Sequence, residues 1–112
     1  MGTWVYIRGW LEFSGQKAEA KRIILDNGEG WSFPEGGWLD AACYARAVRA
    51  QHADEVLAQI RKVAALSANE DNDHVCGLFL AFHEVDGQFE WQVRDGDVFI
   101  SSAPERYDYM SR

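Results

Sequence analysis

Two Asp-Gly pairs, Asp86-Gly87 and Asp95-Gly96, constrain the last third of this chain more than any other feature. Asp-Gly between two apolar stretches is a strong local signal for a tight hairpin, because the turn needs backbone conformations with positive φ that Gly and Asp tolerate. The stretches on either side suit strands. VCGLFLAFHEV, residues 75–85, is apolar on both faces, as a strand in the middle of a sheet would be. FEWQVR, residues 89–94, alternates and would turn Phe89, Trp91 and Val93 inward. With Asp97–Ser101 these make a three-strand meander.

Upstream, the clearest element is a helix over HADEVLAQIRKVAAL, residues 52–66. There Val56, Leu57, Ile60, Val63 and Ala64 fall on one face at helical spacing. WVYIRGWLEF, within a strand over 3–13, places Val5, Ile7, Leu11 and Phe13 on one side. Trp4, Tyr6, Arg8, Trp10 and Glu12 fall on the other. Ser14 is a plausible cap for a helix over 16–26, with Ala20, Ile23 and Ile24 as its apolar stripe and Asn27-Gly28 as its stop. Trp31 and Phe33 share a face of a short strand, and residues 34–37 read as a turn. Residues 38–50 are rich in alanine, which favours helix. Cys43, Ala45 and Ala47 nevertheless alternate against Tyr44, Arg46 and Val48, and the period of two predicts a strand. The expected architecture is α+β: two helices packed on one face of a mainly antiparallel sheet, a ferredoxin-like sandwich formed by residues 1–112 as a single domain. The tail from Ala103 is polar, and its Tyr107 and Tyr109 could dock on the body.

Acidic residues outnumber basic ones 18 to 11, giving a net charge of −7. Nucleic-acid binding needs cationic surface, so direct contact with DNA or RNA is not expected. The apolar runs are much shorter than a membrane span of ~20 residues, and MGTWVYIRGW resembles neither a secretory signal nor a myristoylation site. A cytoplasmic location is expected. There, the two cysteines, Cys43 and Cys76, read as buried free thiols.

Catalytic chemistry is hard to find. His83 and Glu84 are neighbours in a strand, so their side chains point to opposite faces; His83 suits a hydrogen-bonded sheet histidine. His52 suits a solvated turn or cap. Residues 70–74 offer oxygen ligands, but without the glycine and distal glutamate of a calcium loop. Gly28-Glu29-Gly30 begins like a phosphate turn, but position 33 is Phe and two glutamates flank it. No catalytic residue, metal ligand or cofactor is expected. The remaining distinctive feature is five tryptophans, four of them near acids or on the odd face of the first strand. Trp91 belongs in the core. The others either fill a second small core or meet a partner, since Trp and Tyr bury large areas at interfaces at small entropic cost.

The blocks RGWLE (8–12), GWSFP (30–34) and GLFLAFHEVDGQFEWQVRDGDVFI (77–100) resemble, in this order, the immunity proteins of bacterial contact-dependent growth inhibition and related polymorphic toxin systems. The resemblance implies a non-catalytic protein that binds the C-terminal domain of one cognate toxin, a basic partner such as a cytosol-acting nuclease, and is a monomer or weak dimer when free. No binding residue is carried over by position. The chemistry of aromatics beside carboxylates points instead to Glu29, Trp31, Glu35, Trp38, Asp40 and Tyr44 as partner contacts. The alternative is a small ligand-sensing or regulatory ferredoxin-like domain that dimerises through its open sheet face.

Overall fold

The structure, a computed structural model, describes residues 3–25 and 29–110. Its elements run β1 (Trp4–Phe13), α1 (Lys17–Leu25), β2 (Trp31–Ser32), β3 (Asp40–Arg49), α2 (Ala50–Ala64), β4 (Cys76–His83), β5 (Gly87–Arg94) and β6 (Asp97–Ser102). A 3₁₀ turn over Glu105–Met110 follows. One sheet contains all six strands in the order β2-β3-β1-β4-β5-β6, and every neighbouring pair is antiparallel. The ferredoxin-like expectation is therefore corrected. That sandwich is a four-strand βαββαβ unit, whereas here the meander adds two strands beyond β4 and a third helical segment ends the chain.

The sheet is organised around β1. It sits between β3 and β4, with Val5 opposite Val48 on one side and His83 on the other. Its odd-numbered face carries Val5, Ile7, Leu11 and Phe13 into the core. There they join Ala20 and Ile24 of α1, Ala53, Ile60, Val63 and Ala64 of α2, and Phe79, Ala81, Trp91, Val93 and Val98 of the meander. Removing this much apolar surface from water is the main stabilising term. Trp91 is buried.

Two glycines shape the centre. A Cβ on Gly9 would stand 2.2 Å from the Leu78 carbonyl oxygen and 2.5 Å from the Phe79 ring. One on Gly77 would stand 2.2 Å from the Trp10 carbonyl oxygen. The β1 and β4 backbones thus approach across positions that have no room for a side chain.

Helix α2 starts without a break from β3. Arg49, in extended conformation, occupies its N-cap without a side-chain cap bond. Alanine and long unbranched residues supply helix propensity, and Arg61 and Lys62 in the last turn suit the helix dipole. Arg61 also bonds across to Asp97 at 2.8 Å. Helix α1 begins at Lys17, three residues beyond the expected Ser14 cap. The local organiser is Gln16, a buried polar side chain. Its Oε1 accepts the Ser14 N–H, and its Nε2 donates to the Ser67 and Asp73 carbonyls. The expected stop at Asn27-Gly28 lies outside the described residues. Strand β4 ends at His83, whose Nδ1 accepts the N–H groups of Val85 and Asp86 and shapes the turn. Among the described residues no helix is long and apolar enough to cross a membrane.

Candidate functional site

The face of the sheet away from the core carries Trp4, Tyr6, Arg8, Trp10 and Glu12 of β1, Cys43 of β3, and Leu78, Leu80 and Phe82 of β4. These follow from the register, as their neighbours in each strand point into the core. Trp4 and Trp10 are 36% and 39% exposed. The Arg49 guanidinium lies 4.1 Å from the Trp4 ring centroid. Trp10 Nε1 donates to Glu12 at 2.6 Å, and Tyr6 stacks on Phe82 at 6.1 Å. Met110, from the C-terminal 3₁₀ turn, closes one side of a shallow groove with Arg8, Gly9, Trp10, Cys43, Leu78 and Leu80. The tail therefore reaches this face yet leaves Trp10 partly open.

Both cysteines were expected to be buried. Cys43 is half-buried on this open face and Cys76 is exposed, because β4 begins at Cys76 opposite Glu12. Local desolvation, then Glu12 and Asp73, push the Cys76 thiol above its ordinary range, so the exposed thiol is not activated.

The six residues expected to contact a partner separate into three settings. Glu35, Trp38 and Asp40 belong to the first, the projecting loop between β2 and β3 together with the first residue of β3. Gly36 and Gly37, at φ of 96° and 73°, turn it in a region that disfavours side chains. Trp38 at its tip is fully exposed, Leu39 beside it is also exposed, and Asp40 is anchored 3.8 Å from Lys17 Nζ.

Trp31 has the second setting, the edge of the core. Its ring tilts against Tyr44 at 4.9 Å and meets Phe79 edge-on at 6.1 Å, while Nε1 donates to Gln59 Oε1 at 3.1 Å. Gln59 in turn donates to the carbonyls of Ile23 and Ile24, so Trp31 pins α1, α2 and the sheet together.

Glu29 and Tyr44 have the third setting, a cleft of about 350 Å³ between β3 and the first turns of α2. Arg46, Val48, His52, Glu55, Val56 and Gln59 complete its lining. The cleft exists because β2 is only two residues long. It pairs with β3 at Tyr44 and Cys43, and among the described residues no strand lies beside that edge of β3 past Ala45. Tyr44 is 2% exposed, and its buried hydroxyl lies by the Arg46 guanidinium without a well-formed hydrogen bond among the described residues. Burial raises the Tyr44 pKa; the Arg46 charge and its hydrogen bonding to the phenol oxygen oppose this, and Glu29 reinforces it. Arg46 is itself engaged by the Glu29 carboxylate. Gly30, at φ of 90°, lies over the Tyr44 ring, where a Cβ would come within 2.8 Å of Cε1. Arg46, His52, Glu55 and Gln59 were not anticipated. The signal for the helical part was present, since His52, Glu55, Val56 and Gln59 fall at i, i+3, i+4 and i+7.

Among the described residues, no group of three His, Cys, Asp or Glu side chains stands where it could hold a metal ion. Comparison with protein-family models, with curated proteins and with solved structures returns no significant match.

Proposed function

We propose that this chain is an immunity protein: a binding module that neutralises the C-terminal domain of a cognate bacterial toxin by tight association in the cytoplasm. The observation that carries the reading is the β2–β3 loop. It projects a fully exposed Trp38 and an exposed Leu39 between the carboxylates of Glu35 and Asp40. Trp is among the residues most enriched at the energetic centres of protein interfaces, and flanking acids speed the approach of a basic partner. The net charge of −7 acts in the same direction. A cytosol-acting nuclease domain, with a basic substrate cleft, is the partner this chemistry suits. The toxin assignment itself rests on the family resemblance described above.

The test is co-expression with the toxin domain encoded immediately upstream of this chain's gene. The wild type restores growth, while Trp38→Ala, its fold intact, loses at least ten-fold in affinity, as expected for a central interface Trp. Absence of a toxin domain upstream, or no rescue of growth, would sink the immunity reading. Full affinity in Trp38→Ala would move the contact surface elsewhere.

The groove beside Trp10 supports a second reading, a regulatory domain that self-associates through its open sheet face. Sedimentation separates the two: this reading requires a stable dimer that Trp10→Glu splits, and the first does not.

A further inference from the structure

Strand β6 ends the sheet, with β5 on one side and no strand beyond it among the described residues. The ladder tells its two backbone rims apart. The Ala103 N–H donates to the Gln88 carbonyl at 2.9 Å, one step past the Phe89–Ser102 pair. Antiparallel pairs alternate, so Asp97, Phe99 and Ser101 bond inward to β5, while Val98, Ile100 and Ser102 turn their N–H and C=O groups outward. Such a row is a template for another strand. Phe99 and Ile100 are both partly exposed, and no charge stands between Val98 and Pro104. At Val98, however, both outward groups are taken. Asp97 Oδ1 accepts the Val98 N–H at 2.7 Å, and Arg61 Nη1 donates to the Val98 carbonyl at 3.2 Å. Arg61 and Asp97 also meet each other at 2.8 Å. They close on the strand from opposite faces: Arg61 comes from α2 on the core side, and Asp97 from the open side, since its neighbour Val98 points into the core. No such cap is found at Ile100 or Ser102 among the described residues.

We propose that β6 is a pairing edge for a second copy of this chain, and that Arg61 and Asp97 guard it. About a two-fold axis at Ile100 the edge is complementary to itself. Val98 faces the partner's Ser102, Ile100 faces the partner's Ile100, and Ser102 faces the partner's Val98, all with hydrogen-bonding groups turned toward each other. The uncharged run sets no like charges opposite one another across the axis. With Val98 capped, the outer pairs are lost and any ladder is confined to Ile100–Ser102. So short a ladder does not offset the cost of association. The Arg61 and Asp97 side chains are 41% and 58% exposed, and an ion pair so open to solvent adds little to folding stability. Its effect lies in what it keeps out. This edge is distinct from the Trp38 loop and from the Trp10 groove, so the inference stands apart from both readings above.

Sedimentation of the full chain over a range of concentrations tests it. Combining Arg61→Met with Asp97→Ala removes one charge of each sign, so the net charge stays at −7 and weaker overall repulsion cannot drive association. Self-association of the double variant is expected to be tighter than that of the wild type by roughly ten-fold or more, the scale of one or two regained hydrogen bonds. Urea denaturation checks that each protein is folded. If the double variant does not fold, Arg61→Met alone, at an exposed helix position, should shift association in the same direction. Hydrogen exchange locates the contact: the Ile100 and Ser102 amides, open in the wild type, become protected in the variant's dimer. Adding Ile100→Pro deletes one outward N–H, leaves the bonds to β5 in place and should restore the monomer. A folded variant no more associated than the wild type overturns the proposal. So does a dimer that leaves the Ile100 and Ser102 amides open, survives Ile100→Pro or is split by Trp10→Glu.

Discussion

Strand β1 presents apolar residues on both sides, yet its two faces reach opposite ends. Ile7 and Leu11, under the helices, are wholly buried, whereas Trp4 and Trp10 on the other side keep more than a third of their surface. The difference is in how polar demands are met. The covered face has few polar groups to satisfy, and packing alone closes it. On the open face each aromatic has a partner within the same face: Arg49 for Trp4, Glu12 for Trp10 and Phe82 for Tyr6. That face holds its aromatics in place while still facing solvent. An apolar strand face therefore does not mark a core until its neighbours are known.

The sharpest way to break the comparison is a pair of tryptophan truncations, one on each face. Trp91→Ala, on the covered side, should cost about 3–5 kcal/mol in urea denaturation. Gly9→Ala comes next. The added methyl meets the Leu78 backbone and the Phe79 ring, and overpacking of this kind costs about 1–3 kcal/mol or more; a neutral result would show that β1 and β4 can separate. Trp10→Ala, half-exposed, should cost no more than about 1 kcal/mol. A loss equal to that of Trp91→Ala would make the open face a second core.

The smallest effect belongs to Tyr44. Its folded pKa is raised from 10.0 by burial, so its contribution is fully present below pH 10. Above that pH the unfolded chain ionises first, and the stability is lost as pH rises through the higher folded value. Tyr44→Phe should therefore flatten the alkaline arm of the stability profile while leaving neutral stability equal or slightly improved. An unchanged alkaline arm would mean the hydroxyl is not buried in solution.

Much of this architecture can be read from residues close in sequence. Asp86-Gly87 and Asp95-Gly96 announce the meander, the stripe from Val56 to Ala64 announces α2, and the alternation around Tyr44 announces β3 against its alanine content. What escapes is decided by distant pairing. Nothing local places β1 between β3 and β4, so the sheet order is not legible, whereas the two strands added beyond β4 are announced by the Asp-Gly turns. The same limit applies to the candidate contacts. Trp31 and Tyr44 lie among glycines, acids and small residues, and only the α1–α2 packing above β3 draws them into the core. Cys76 has apolar neighbours in sequence but starts its strand at an exposed corner. The two consecutive glycines before Trp38 mark the turn, but nothing local shows whether the ring beyond them is covered.

The sheet order also governs how the molecule can be made. Strand β1 leaves the ribosome before either of its partners, and its pairing edges wait for residues 40–49 and then 76–83. At ordinary rates of synthesis, about 5–20 residues per second, a strand bearing two tryptophans and a tyrosine stays unpaired for seconds. The meander closes through neighbours in sequence and needs no such delay. Folding of this chain is thus set by how long its first strand can wait for its fourth.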